Sequence, residues 1–325
     1  MNQHMAKIRQ ISKLDYSTPI LVPSFSSKGF PHIKKLHYYL REKLTDVSLI
    51  STYDLFYGYI DADQIYESDI LIIDSGGYER NKDHDISEIY NSLYIAKEWN
   101  ETQYEKQVTK LRPITDILLV NFDYIDGLPL KEQIQLAQQH FKKYPQFASD
   151  FLCKPTSKDL LIIDINNVLK NIHLFSTFDV LGFTEKELGN TIYERATNIY
   201  RIRKALIQAG SEVPIHVFGC LDPLSVILYF LCGADIFDGL SWLRFSFIDG
   251  TPMYINHYAL NYGLWDKSDN EVKMINYLNN LEELINLKNK MNAFVHSSDW
   301  DDLQFKANQI YEVKLILTSI IKKHG

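Results

Sequence analysis

Three acidic residues stand where short apolar runs stop. They are Asp74 in Ile72-Ile73-Asp74-Ser75-Gly76-Gly77-Tyr78-Glu79, Asp123 in Asn121-Phe122-Asp123-Tyr124, and Asp238 in Asp235-Ile236-Phe237-Asp238-Gly239. If those runs are strands of one parallel sheet, all three acids converge on the face where such sheets do chemistry. Carboxylates sharing a pocket repel one another, which raises the pKa of at least one. Chemistry at an anomeric carbon needs such a pair. One carboxylate attacks or stabilises the oxocarbenium-like centre, and the other handles the proton of the leaving group. Asp238 and Asp74 are therefore the candidate catalytic residues. Gly76 and Gly77 let the backbone approach a flat ligand closely and offer N–H donors. The same residues have plainer uses. Asp-Ser-Gly-Gly is a common turn composition, and Asp123 and Asp238 each suit a helix N-cap.

Positioning these acids requires alternating strands and helices. Eight short runs rich in Ile, Leu, Val and Phe fall at residues 20–25, 47–53, 69–74, 116–123, 160–165, 178–183, 214–219 and 235–238. Most lack strict period-two alternation, as expected of strands buried on both faces. Helical patterns occupy 31–44, 86–111, 130–144, 191–209 and 224–232. Eight such alternations predict an α/β fold of the (β/α)8 TIM-barrel type, with a doubly wound open sheet as the alternative. After Asp238 come 87 residues with two long helical patterns, 270–294 and 300–322. The division expected is a barrel over 14–260 and a C-terminal helical segment over 261–325 packed on it.

Composition bounds the function. The 325 residues are 46% hydrophobic and 23% charged, which suits an ordinary globular core. The net charge of −7 means that nucleic acid, if bound, meets a local basic patch. The helix carrying Arg195, Arg201, Arg203 and Lys204 is the best candidate for one. Cys153, Cys220 and Cys232 are scattered without a C-x-x-C pair, arguing against disulfides and a thiolate zinc site. The polar stretch 1–13 has no apolar signal region, and the longest apolar run, 223–234, is too short to span a bilayer. The expectation is a cytoplasmic protein with no membrane partner.

Read together, these runs resemble the tRNA-guanine transglycosylases. The segment 72–79 resembles the family's D-S-G-G-[FY]-Q signature, and Asp235 to Arg244 is similar to its D-x-F-D-C-V-x-P-T-R. Ser51-Thr52-Tyr53-Asp54-Leu55 resembles N-T-Y-H-L, residues 18–23 resemble the opening strand, and 178–183 the strand with the family's glycine pair. The resemblance runs in order from residue 18 to 244. It implies that Asp238 is the nucleophile at ribose C1′ and Asp74 the acid/base for the incoming or departing base. It implies further that Asp123 reads the pyrimidine edge of guanine or 7-deazaguanine. Arg244 then lies near the sugar-phosphate, Tyr78 beside the base and Gly182 in the glycine strand. Asn166 stands in for a base-reading glutamine. The family tends toward homodimers.

The chain also departs from the family. The resemblance implies a structural zinc held by C-x-C-x-x-C…H, yet no cysteine follows Cys232, and His257 and His296 are too isolated to replace it, so no metal is expected. Glu79 replaces glutamine, and Trp242-Leu243 replaces proline–threonine. Residues 266–325 hold eight Lys/Arg against nine Asp/Glu, so no basic tRNA platform is visible there. The expected activity is a pentosyltransferase exchanging or releasing guanine or 7-deazaguanine, in DNA modification or an anti-phage system rather than on ordinary tRNA. Its acceptor is tRNA, DNA, a nucleoside or a modified protein. A non-catalytic barrel binding a deazaguanine or a partner is the alternative. A barrel aldolase would need a lysine at a strand end, and none of the predicted ends carries one.

Overall fold

The computed structural model describes residues 4–80, 94–124 and 126–325. Eight strands run parallel: β1 (Ile20–Pro23), β2 (Val47–Ser51), β3 (Ile70–Asp74), β4 (Asp116–Val120), β5 (Ala148–Cys153), β6 (Val180–Thr184), β7 (Ile215–Phe218) and β8 (Ile236–Gly239). Neighbours in sequence are neighbours in the sheet, and β8 pairs with β1, setting Asp238 beside Val22. A bridge between Ser24 and Leu49, with the Phe25 N–H donating to the Leu49 carbonyl at 3.1 Å, joins β1 to β2 and closes the ring. The chain is an α/β barrel of the TIM type.

The strands read as unbroken apolar runs because the barrel has two cores. Alternate residues point inward or outward along every strand. Ile20, Val22, Val47, Leu49, Ile70, Ile72, Leu118, Val120, Val180 and Ile236 form the interior cluster. Leu21, Ile50, Leu71, Ile73, Leu119, Phe151, Leu181, Val217 and Phe237 face the helices. Continuing the inward set by one step puts Ser24, Asp74 and Asp238 in the uppermost layer, at the strands' C-terminal ends.

Two predicted elements are corrected. The fifth strand is Ala148–Cys153, not 160–165. Leu160 and Leu161 are 48% and 80% exposed, and Asp164 caps the helix Ile165–Lys170 by accepting the Asn167 N–H at 3.2 Å. The helix expected over 86–111 is Glu101–Val108, started by an Asn100–Gln103 capping box. Residues 94–100 are not helical, and 81–93 lie outside the described residues.

Beyond the barrel, the helices Asp269–Ser297 and Ala307–His324 pack on it. Asn280 pins the segment after β8. Its Nδ2 donates to the carbonyls of Trp242 and Phe245 at 2.6 and 2.7 Å, and its Oδ1 accepts the Phe247 N–H at 2.7 Å. Among the described residues no helix is long and apolar enough to cross a membrane.

Candidate active site

A cavity of about 390 Å³ opens at the C-terminal ends of the strands. That volume lies within the range of small-molecule pockets. Asp74, Asp123 and Asp238 all line it, with Gly77, Tyr78 and Arg244. Asp238 is buried and held on both oxygens. The Ser24 hydroxyl donates to Oδ2 at 2.8 Å, and the Gly219 N–H donates to Oδ1 at 3.0 Å. Asp74 accepts the Gly76 N–H at 3.0 Å. Burial pushes its carboxyl up, the Gly76 N–H holds it down, and Asp238 and Asp123 add repulsion, leaving it at about 6. That value suits a group that gains and loses a proton near neutrality.

The two glycines after Asp74 do different work. Gly76 has φ +84°, and a Cβ there would fall 2.6 Å from that of Tyr53. It does not line the cavity but turns the chain and aims its N–H at Asp74. Gly77 does line it. A Cβ there would sit 2.5 Å from Asp123 Oδ2, so a bare backbone is what lets Asp123 reach the pocket. Asp123 lies 3.5 Å from Lys154 Nζ, which also contacts Glu187 at 2.6 Å. The Arg244 guanidinium donates to the Tyr78 hydroxyl at 3.2 Å, joining the loops after β3 and β8 across the rim.

Other expectations are corrected. Asn166 does not line the cavity: it is exposed on the helix Ile165–Lys170, and its Oδ1 accepts from Arg201 at 2.7 Å. Its placement followed from the misassigned fifth strand. Gly182 stands behind the pocket wall. A Cβ there would meet the Phe218 ring at 2.6 Å and Asp150 Oδ1 at 2.8 Å, so the glycine makes room for those side chains rather than for a ligand. The supposed basic helix Ile192–Gln208 is no open cationic face. Arg203 is fully buried against Asp235, Arg195 pairs with Glu185, and Lys204 donates to the His324 carbonyl. With β5 placed correctly, Lys154 follows a strand end after all, where Glu187 and Asp123 flank it.

The sequence reading missed a layer of polar groups beneath and beside the aspartates. Below Asp238 lies His216, with Nε2 3.4 Å from Asp238 Oδ1 and Nδ1 2.7 Å from Asp150 Oδ2. Burial alone would lower the imidazole, but the two carboxylates outweigh it and hold it at about 9. The available signal was alternation: Asp150 lies between the inward Ala148 and Leu152, and His216 two residues before the inward Phe218. Beside Asp74 are two further buried acids. Asp54 accepts the Ser27 N–H at 2.8 Å, and Glu79 accepts the Ser26 hydroxyl at 2.5 Å. Burial, opposed by the Ser27 N–H and helped by Asp74, lifts Asp54 from the usual 3.8 to about 7. Burial, Asp54 and Asp74 push Glu79 well above the ordinary carboxyl range.

This cluster carries a stability signature. Each raised group favours the fold fully below its unfolded pKa, near 4 for ordinary carboxyls, and the contribution is lost as pH rises through the folded value. For Asp74 and Asp54 those values are about 6 and about 7. Glu79→Gln keeps an acceptor for Ser26 and removes one ionisation. The variant should match wild type at pH 4 and exceed it at pH 8 by about 1 kcal/mol or more in chemical denaturation. Lower stability at pH 8 would overturn the neutral state of Glu79.

Against protein-family models and curated proteins, the chain has no match. Function is therefore read from the site's own residues. Two oriented carboxylates, one of them titrating near neutrality, face one cavity with an aspartate, a tyrosine and an arginine at its wall. Such a set can protonate a leaving group, attack an electron-poor carbon and hold a planar hydrogen-bonding ligand.

Proposed function

We propose that the chain is a pentosyltransferase of the tRNA-guanine transglycosylase kind, acting on the N-glycosidic bond of guanine or a 7-deazaguanine. One observation carries the reading: Asp74, raised to about 6, and Asp238, held by Ser24 and Gly219, line one cavity of about 390 Å³. In this mechanism Asp74 protonates the departing base while an Asp238 oxygen attacks C1′. An incoming base then gives its proton to Asp74 and displaces Asp238. Asp123 offers its carboxylate to the N–H groups of a guanine-like edge, and Arg244 lies where an anionic sugar-phosphate enters.

The test is base exchange with labelled guanine against tRNA, DNA and guanosine, across pH. The first half-reaction needs Asp74 protonated, so kcat/KM for the glycoside should fall as pH rises through about 6. The second needs it ionised, and with Asp238 esterified its repulsion on Asp74 is gone, so kcat/KM for the free base should rise with pH through a lower value. Asp74→Asn should lose both limbs and roughly 10²–10⁴-fold in rate. An Asp74→Asn rate equal to wild type, or wild-type profiles flat around pH 6, refutes this role.

A further inference from the structure

Asp150, His216 and Asp238 form a stack inside the barrel that pocket chemistry alone does not require. All three are inward positions, on β5, β7 and β8. Asp150 and His216 are fully buried, and the Phe218 ring lies over the imidazole with centroids 3.7 Å apart and planes 28° apart. Gly182 leaves the space that keeps Phe218 and Asp150 in place. Each ring nitrogen faces a carboxylate, at 2.7 and 3.4 Å, and these two acids are the ionisable groups that dominate its surroundings. A neutral imidazole donates through one nitrogen only, whereas the cation presents an N–H to each carboxylate, hydrogen-bonded to Asp150 at 2.7 Å and in charge contact with Asp238 at 3.4 Å. The value of about 9 agrees with that geometry. A histidinium thus sits between two carboxylates, one of which is the proposed nucleophile.

We propose that His216 is a positioning residue for the second half of the reaction, a fixed cation that hastens departure of the sugar from Asp238. This rests on the glycosyl-transfer reading above. In the first half the C1′–N bond breaks, its electron pair stays on the base nitrogen, and that nitrogen takes the Asp74 proton. A bond forms between C1′ and an Asp238 oxygen, giving an ester without the carboxylate's charge. In the second half the acceptor nitrogen gives its proton to Asp74 and bonds to C1′, and the C1′–O pair returns to Asp238. His216 keeps its proton throughout. A preorganised cation stabilises the carboxylate as it reappears and opposes its loss when the ester forms. The buried histidinium therefore keeps the covalent intermediate short-lived, at some expense to its formation.

Two measurements test this. In the free full-length protein, imidazole NMR should show His216 charged at pH 7 to 8 and titrating at lower pH in Asp238→Asn and in Asp150→Asn. A neutral His216 at pH 7 overturns the proposal and leaves glycosyl transfer itself untouched. In the second, wild type and His216→Gln are incubated with guanosine, acid-quenched and weighed intact. His216→Gln should hold at least about tenfold more pentosyl adduct, with kcat reduced and KM for guanosine not raised. Equal or lower adduct in His216→Gln overturns the proposal. Asp150→Asn, which leaves the imidazole in place, should shift adduct occupancy the same way, and no change there also counts against it. No adduct and no exchange in any protein removes the glycosyl-transfer reading, and this proposal with it, whatever the NMR shows.

Discussion

Replacing Asp238 by Asn is expected to reduce base exchange by about 10³-fold or more and to abolish any covalent pentosyl adduct, while the protein folds normally. The amide keeps the shape of the carboxylate and an oxygen for the Gly219 N–H, now 3.0 Å from Oδ1. It lacks the charge and nucleophilicity that attack at C1′ requires. The residue sits in the uppermost inward layer, so the apolar packing below it is unchanged, and His216 beneath it keeps Asp150 as a counter-charge at 2.7 Å. Binding should separate from turnover: calorimetry with guanine should give similar affinity for both proteins, since Asp123 and Gly77 are untouched. Full exchange activity in Asp238→Asn would end the mechanism. Lost exchange with an unaltered adduct would move the nucleophile elsewhere.

The second large effect lies at the opposite end of the same strand. Asp235, fully buried, accepts from Arg9 at 2.8 Å, from Arg203 at 2.5 Å and from the Ile215 N–H at 2.8 Å. Its backbone also ties β8 to its neighbours, through the Ile20 N–H and the Ile215 carbonyl. Burial lowers the Arg203 guanidinium, but only to about 10, so it is a cation at neutral pH. Asp235→Ala leaves the buried Arg203 guanidinium without its ion-pair partner, while Arg9 keeps Glu212 at 3.1 Å. Breaking a buried pair in this way costs about 3–5 kcal/mol. Urea unfolding at pH 7 should show that loss. Arg203→Met combined with Asp235→Ala should lose less than the sum of the two single changes, because the second removes the stranded charge. A loss below about 1 kcal/mol in Asp235→Ala would show that water or rearrangement already screens the site.

The two ends of β8 illustrate what was legible in the linear chain. Runs such as Ile70–Asp74 and Ile236–Gly239 declare themselves, because apolar residues stop at an acid with a glycine one or two residues on. β5 does not. Ser149 and Asp150 interrupt its apolar pattern, and the partner that makes Asp150 tolerable inside, His216, is 66 residues away. The run at 160–163 has the composition of a strand but meets no sheet: it bends at 161–162, exposing Leu160 and Leu161 and burying only Ile163 fully. Asn166 was misplaced for the same reason. Arg203 reads as surface charge until Asp235, 32 residues on, arrives to neutralise it. Asp54 and Glu79 flank predicted strand ends, yet their burial depends on how Ser26 and Ser27 fold over them. Pairings across the barrel, not local pattern, decide all of these.

The seam between β1 and β8 has a consequence for biogenesis. Ser24 donates to Asp238, 214 residues later in the chain, and Trp242 donates through its indole to the Ser24 carbonyl at 3.0 Å. Contacts of such sequence separation form late, because a long loop must close before they return any energy. A ribosome that has made only the first seven staves has therefore made neither Asp238 nor a finished wall. The pocket comes into being when the ring shuts, so if the proposed function holds, a partly synthesised chain would be silent and exchange would report completed assembly.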